Sequence, residues 1–269
     1  MKITSRINTI ITFLIVITLS NGCGSDSSDS ISITPKEYTV EEPFTFDVNI
    51  TNQVILKLTG INGEVDITGT SDSTTVKVSG TKRVDSNISN TDAEQQVQDI
   101  EVRVLDSTNE ISVESIQPKD SDNRNYTVDY AITLPEKFQV QVINVNGAVI
   151  LDSIENDVTV NLVNGQVTLL DTIGSSSINI VNGAMECRVT LPLNSTVKLN
   201  TVNGNINLSI PAATSADFSA KVSNGSINTS SLVLQNEIRT ATTLSGVLGS
   251  GQGTIFLETT NGNISASGF

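Results

Sequence analysis

The sequence predicts an all-β fold: a right-handed, β-helix-like solenoid of short stacked strands, with one short helix near residues 91–100. Three observations carry this. Apolar residues recur at every second place through most of the chain, the period of a strand with one buried face. Beyond the N-terminal segment the dipeptide Asn-Gly returns seven times, at Asn62-Gly63, Asn146-Gly147, Asn164-Gly165, Asn182-Gly183, Asn203-Gly204, Asn224-Gly225 and Asn261-Gly262. Aromatic residues make up 4% of the 269 residues and Trp is absent, while Val, Ile, Thr, Ser and Asn dominate. That composition favours strands and polar turns over helices.

The N-terminal segment, 1–22, obeys different rules. Lys2 and Arg6 precede the apolar run Ile10–Leu19, which is short for a membrane span but suited to the core of a secretory signal. "SNGC" follows, and a Cys directly after such a run resembles the lipobox of bacterial lipoproteins, with Gly22 in place and Ser20 departing from the pattern. Residues 1–22 are read as a lipoprotein signal peptide and Cys23 as the lipid attachment site. Ordinary secretion with a free Cys23 is the alternative. Residues 23–37, rich in Ser and Asp, have too little apolar content to fold and read as a flexible tether. The domain proper is assigned to 38–269.

Within it, "FTFDVNI", "VILKLTG", "EVDITG" and "TVKVSG" alternate as strands. "SNTDAEQQVQDI" breaks the pattern with helix formers, and Thr91-x-x-Glu94 fits a capping box. "IEVRVL" and "EISVESI" resume the strands, and "YTVDYAITLP" stops at Pro135, where a backbone donor is missing. From Phe138 the Asn-Gly phrases take over. Counted along the chain, successive phrases lie 84, 18, 18, 21, 21 and 37 places apart. Asn-Gly between alternating runs is also a hairpin signal, favouring positive φ at both turn positions. Hairpins, however, give no reason for such regular steps, whereas stacked rungs do. Stacking further predicts a ladder of amides at Asn161, Asn179 and Asn200, each three places before its Asn-Gly. Periodicity alone leaves strand pairing open between the two.

The ordered set "GINGEVDITG", "GTKRV…AEQQVQDIEVRVL", "YTVDYAITLPEKFQVQVINVNGAV" and "GSGQGTIFLETTNGNIS" resembles a bacterial putative-adhesin family of β-strand-repeat domains, over about Tyr38 to Phe269. The resemblance implies a solenoid-like all-β domain, exported or membrane-attached. It brings no catalytic residues and no cofactor.

Composition also limits the chemistry. The chain has no His, which removes Ser-His-Asp and Cys-His catalysis and His-ligated metals. "GVLGSGQG" lacks the Lys of a phosphate loop. Cys187 takes an inward place in its repeat and reads as a small core residue. Asp152, Glu155 and Asp157, and Asp120 with Asp122, read as solvated turn acids rather than a dedicated Ca²⁺ site. Net charge is −14, and two units more negative once Lys2 and Arg6 leave with the leader; such a surface repels nucleic acid. The expectation is a non-enzymatic, lipid-anchored envelope protein with a structural or adhesive role. Its partners would be the membrane, through the anchor, and a surface glycan or envelope protein. The rivals are a polysaccharide lyase or glycosidase on a β-helix, and an envelope accessory domain that binds a membrane protein. A carbohydrate-active site needs acids with Arg or Lys on one face, and the region 147–269 offers only Arg188, Lys198, Lys221 and Arg239 as bases.

Overall fold

The computed structural model describes residues 37–269. The leader at 1–22, the Cys23 anchor and nearly all of the 23–37 tether lie outside the described residues. The described chain is all-β apart from one short helix, and its strands form two large sheets of ten and eleven strands.

Each Asn-Gly joins a strand that leads up to it and a strand that starts two places past its Gly, as in Val158–Asn164 and Val167–Ile173. The two flanking strands always belong to different sheets. The phrase therefore turns a corner from one sheet to the other, and the hairpin alternative does not apply. We call each strand–corner–strand unit a rung and name it by its Asn. Neighbouring rungs pair in parallel in both sheets at the offset of the phrases themselves, for example Asn161 opposite Asn179 and Asn179 opposite Asn200. Inward side chains such as Val160, Ile178, Leu199, Leu169 and Leu208 stack into one continuous hydrophobic core. Pairing at a constant residue type on each face is what keeps this register, since a slip of one residue would turn every valine outward.

Two features depart from a simple stack. First, rung order is not sequence order. It runs Asn62, Asn146, Asn164, Asn182, Asn203, Asn261, Asn224 in both sheets. The last rung of the chain, Gly253–Asn261 with Ile264–Gly268, is inserted between two that precede it. Second, both sheets are mixed and open. Beyond the Asn62 rung, Arg124–Pro135 continues one sheet in parallel, and then Thr75–Ser86 and Tyr38–Asn49 add antiparallel strands. In the other sheet Glu110–Ile116 pairs in parallel and Glu101–Asp106 antiparallel. At the far end Thr243–Leu248 and Gln235–Arg239 pair antiparallel beside Ala216–Asn224. The solenoid expected over 38–269 is not what forms: both sheets are mixed and open, with antiparallel strands at one end of the ten-stranded sheet and at both ends of the eleven-stranded one, while Ile227–Ser230 remains a parallel edge. The long interval between the first two phrases is an excursion: Asn62 and Asn146 sit directly side by side.

The helix spans Asn90–Gln96 and continues as a 3₁₀ turn over Val97–Asp99. Its cap is Ser89, whose hydroxyl accepts from the Asp92 backbone N–H at 3.1 Å. The expected Thr91–Glu94 box is thus shifted two places toward the N-terminus. Asp92 does not close a box either; it takes two hydrogen bonds from Arg124 at 2.7 Å each and one from Ser86 at 2.6 Å. Tyr126 donates to Gln96 at 2.6 Å. The helix is thereby fastened to the strand Arg124–Pro135, while Ala93, Val97 and Ile100 enter the core.

Leu208 is buried and Gln166 is exposed. Leu208→Asp is expected to lower stability by more than the roughly 3 kcal/mol of a buried Leu truncation, because an unpaired charge is added to the cavity. Gln166→Lys is expected to leave the urea midpoint nearly unchanged. Equal losses for the two would show the register to be wrong.

Hydrogen bonding by Arg124 holds Asp92 down at about 2, below the ordinary carboxylate value of 3.8. A depressed acid stabilises above its unfolded value and loses that contribution as pH falls through its folded one. Melting temperature is therefore expected to drop between about pH 4 and pH 2. In Asp92→Asn this acid-side drop should shrink, and an unchanged pH profile would assign it to other carboxylates.

Candidate functional site

The seven corners stack into a single column, and two kinds of atom hold it. The first is the glycine. At Gly63, Gly147, Gly165, Gly183, Gly225 and Gly262 φ lies between +126° and +154°, a left-handed region that suits glycine. Gly204 lies outside that range, yet like the others it leaves no room for a side chain. A Cβ on Gly147, Gly165, Gly183, Gly204, Gly262 or Gly225 would collide with the carbonyl oxygen of the glycine in the neighbouring rung. Gly63, at the start, faces the Val128 carbonyl in the same way. The Asn of each phrase is not in the left-handed region, so the tight turn expected with positive φ at both positions is instead a bend borne by glycine alone.

The second is the Asn amide. Asn146 donates to Asn62 at 2.6 Å, Asn164 to Asn146, Asn182 to Asn164 and Asn203 to Asn182 at 2.8 Å each, Asn261 to Asn203 at 2.7 Å and Asn224 to Asn261 at 2.8 Å. The column starts where Asn62 donates to the Tyr126 carbonyl at 3.1 Å. Alongside it, the glycine N–H groups donate to the Asn carbonyl of the next rung, as from Gly165 to Asn182 at 3.0 Å. A parallel ladder joins Asn200 to Asn179 at 3.0 Å and Asn179 to Asn161 at 3.1 Å.

Between these two rows Asn144, Leu162, Ile180 and Thr201 take inward places and are all buried. Over them a shallow groove of about 540 Å³ runs across the rungs. One wall is Asn161, Asn179 and Asn200; the other is Val145, Val163, Val181 and Val202, each exposed to between 37% and 43%. The single charge along it is Glu258, which is paired with Lys221 at 2.9 Å. The groove can offer van der Waals contact on one side and amide hydrogen bonds on the other.

Sequence reasoning passed over the inward polar residues two places before a corner. Asn144 donates to Gly63 O at 3.1 Å, Thr201 to Gly183 O at 3.2 Å and Thr259 to Gly204 O at 2.9 Å. Their signal was a polar residue at an inward position of an otherwise apolar alternation. The exposed valine row was equally visible as the valine directly before four of the Asn-Gly phrases. Asn205 is exposed, and its Oδ1 accepts the Asn263 N–H at 2.8 Å.

Elsewhere the chemistry is structural. Cys187 is buried, and burial pushes its thiol up to about 12, which keeps it from acting as a thiolate. Arg188 pairs with Asp171 at 2.8 Å and stacks on the Phe269 ring at 3.9 Å; Arg239 pairs with Glu237 at 2.9 Å. Asp152 accepts from the Ser153 hydroxyl and Asp157 from the Ser175 N–H. Among the described residues no three acids or cysteines converge as metal ligands.

No protein-family model and no curated protein matches the sequence. Among solved structures the chain is similar to a "putative cell adhesion protein" from Clostridium sporogenes, with 16% identity and a TM-score of 0.45 over 85% of this chain and 100% of that one. It is also similar to a "putative adhesin" from Bacteroides fragilis, with 16% identity and a TM-score of 0.33 over 84% and 97%. A "putative lipid binding protein" from Parabacteroides distasonis gives 11% identity and a TM-score of 0.26 over 84% and 95%. All three superpose loosely.

Gly183→Val is expected to destabilise well beyond the roughly 1–3 kcal/mol of a strained φ, since the side chain also meets backbone from the next rung. Gly262→Val should cost about as much, because that corner is interior to the column although it lies near the chain's end. Urea titration of the two variants checks this. A mild Gly262→Val would contradict the inserted position.

Proposed function

We propose that the chain is a lipid-anchored, extracytoplasmic β-solenoid of the putative-adhesin type, with a structural or adhesive binding role at the cell envelope. The observation that carries the reading is the groove, whose amide wall repeats over the Asn164, Asn182 and Asn203 rungs and whose valine wall repeats over these and the Asn146 rung. A repeating surface whose one charge is already paired, in a strongly acidic chain, suits a neutral, extended ligand held by many weak contacts, such as a surface glycan, or the strand-rich face of an envelope protein. A binding role fits better than catalysis because three of the four bases of the repeat region are tied up in ion pairs on scattered positions. The polar tether at 23–37 would hold the domain away from the bilayer.

Two experiments test this. Cys23→Ser should leave an unlipidated chain that no longer sediments with membranes; a wild-type chain recovered soluble, with no acyl mass on Cys23, contradicts the anchor. The purified chain should be screened against immobilised envelope glycans and whole-cell surface extracts. Val163→Lys with Val181→Lys should weaken any binding at least tenfold while the fold persists. Unchanged binding by that variant would move the site elsewhere.

A further inference from the structure

The inserted last rung has a consequence for how copies of this chain can meet. The Asn182, Asn203 and Asn224 phrases are evenly spaced along the sequence. The Asn182 and Asn203 rungs are neighbours, yet the Asn203 and Asn224 rungs are held apart by the Asn261 rung. The connections leading into the later rung of each pair are also equal in length: residues 191–195 cross one rung, and residues 211–215 cross two. A connection that crosses two rungs can cross one. If Ala216–Asn224 moved directly onto Thr196–Asn203 at that same spacing, Val197 would face Phe218 and Asn203 would face Asn224, inward on inward and amide on amide. Both arrangements satisfy the pattern, so the slot can close without the last rung.

The slot is also selective. Its occupant is gripped on both sides, by Asn203 at 2.7 Å and Asn224 at 2.8 Å, and its glycine must pass between Gly204 and Gly225 with no side chain. Only another Asn-Gly rung meets those demands. The inserted rung is joined to the rest by residues 249–252, a short exposed turn with left-handed φ at Gly249 and Gly251. It also supplies the sole strand pairing, among the described residues, between the array and the Asn224 rung with its antiparallel flank. We propose that Gly253–Gly268 is an exchangeable strand pair, and that the partner its slot fits is the same rung of a second copy of this chain. Reciprocal insertion rebuilds every ladder bond between copies and closes as a two-fold dimer. The intramolecular rung has the advantage of effective concentration, so exchange shows at high protein concentration or after partial unfolding.

Thr196 and Thr254 are exposed register partners across this slot. The full chain, with Cys23→Ser and the buried Cys187 retained, would carry Thr196→Cys and Thr254→Cys together. Oxidised at low concentration it should close an intrachain disulfide. Concentrated through a cycle of mild denaturant, the reduced form should yield dimer, and this dimer should be lost when the bond is closed first. Mixing copies that carry only Thr196→Cys with copies that carry only Thr254→Cys should give a disulfide-linked dimer after the same cycle. Failure of the intrachain bond to close would overturn the slot itself. Equal dimer with the bond open and closed, no dimer in either, or no cross-link between the single variants would overturn the exchange.

Discussion

The close approach of each corner glycine to the carbonyl of the next sets everything else. Rungs of a parallel sheet are roughly 4.8 Å apart, and the corner must keep that spacing while the chain changes sheets. A side chain at the bend would push successive corners apart and pull the strands on either side out of pairing. With glycine in place the Asn amides fall within 2.6–2.8 Å of one another and complete the column. Core packing follows from the same spacing, because the inward valines and leucines of adjacent rungs then stack in contact.

The ends of the array need separate treatment, since a stack of rungs terminates in edges that would pair with anything extended. The structure uses three devices. The strands Tyr38–Asn49 and Thr75–Ser86 run antiparallel over one end, with Lys82 and Glu42 paired at 2.9 Å across them. The helix, held by Arg124 through Asp92, packs beside these strands. At the other end Arg239 reaches from its own edge strand to donate to the Ile227 carbonyl at 3.0 Å, occupying an acceptor that a foreign strand would use. The length of the parallel stack is thus set by what caps it.

Much of this was legible in the sequence, for a physical reason: side chains that stack on themselves must recur. Asn161, Asn179 and Asn200 announced their ladder by their spacing, and Val167, Leu169, Ile206 and Leu208 announced the inward face by alternation. What could not be read was placement that leaves no periodic trace. The step from Asn203 to Asn224 equals the step from Asn182 to Asn203, so nothing in the spacing tells that the Asn261 rung enters between. The helix cap fell at Ser89 rather than Thr91 because both are good caps, and Arg124, distant in sequence, selects the register by claiming Asp92. Antiparallel flanks were hidden likewise, since "YTVDYAITLP" alternates identically whichever way its neighbour runs. The groove was spelled out in valines, but only the stacking of rungs in register makes them a wall.

The column also governs how the protein ages. Asn followed by Gly is the pair most prone to lose its amide nitrogen, because the unhindered glycine nitrogen can attack the side-chain carbonyl and form a cyclic imide. That reaction needs the glycine N–H to be free and the amide to swing round. Within the column both are held: each glycine N–H is engaged by the next rung and each amide by its neighbours. Gly225, at the end, has no further rung to bond among the described residues. Among the described Asn-Gly pairs Asn224 is therefore the one left open to this reaction, and the aspartate it would leave has no amide hydrogen to donate to Asn261.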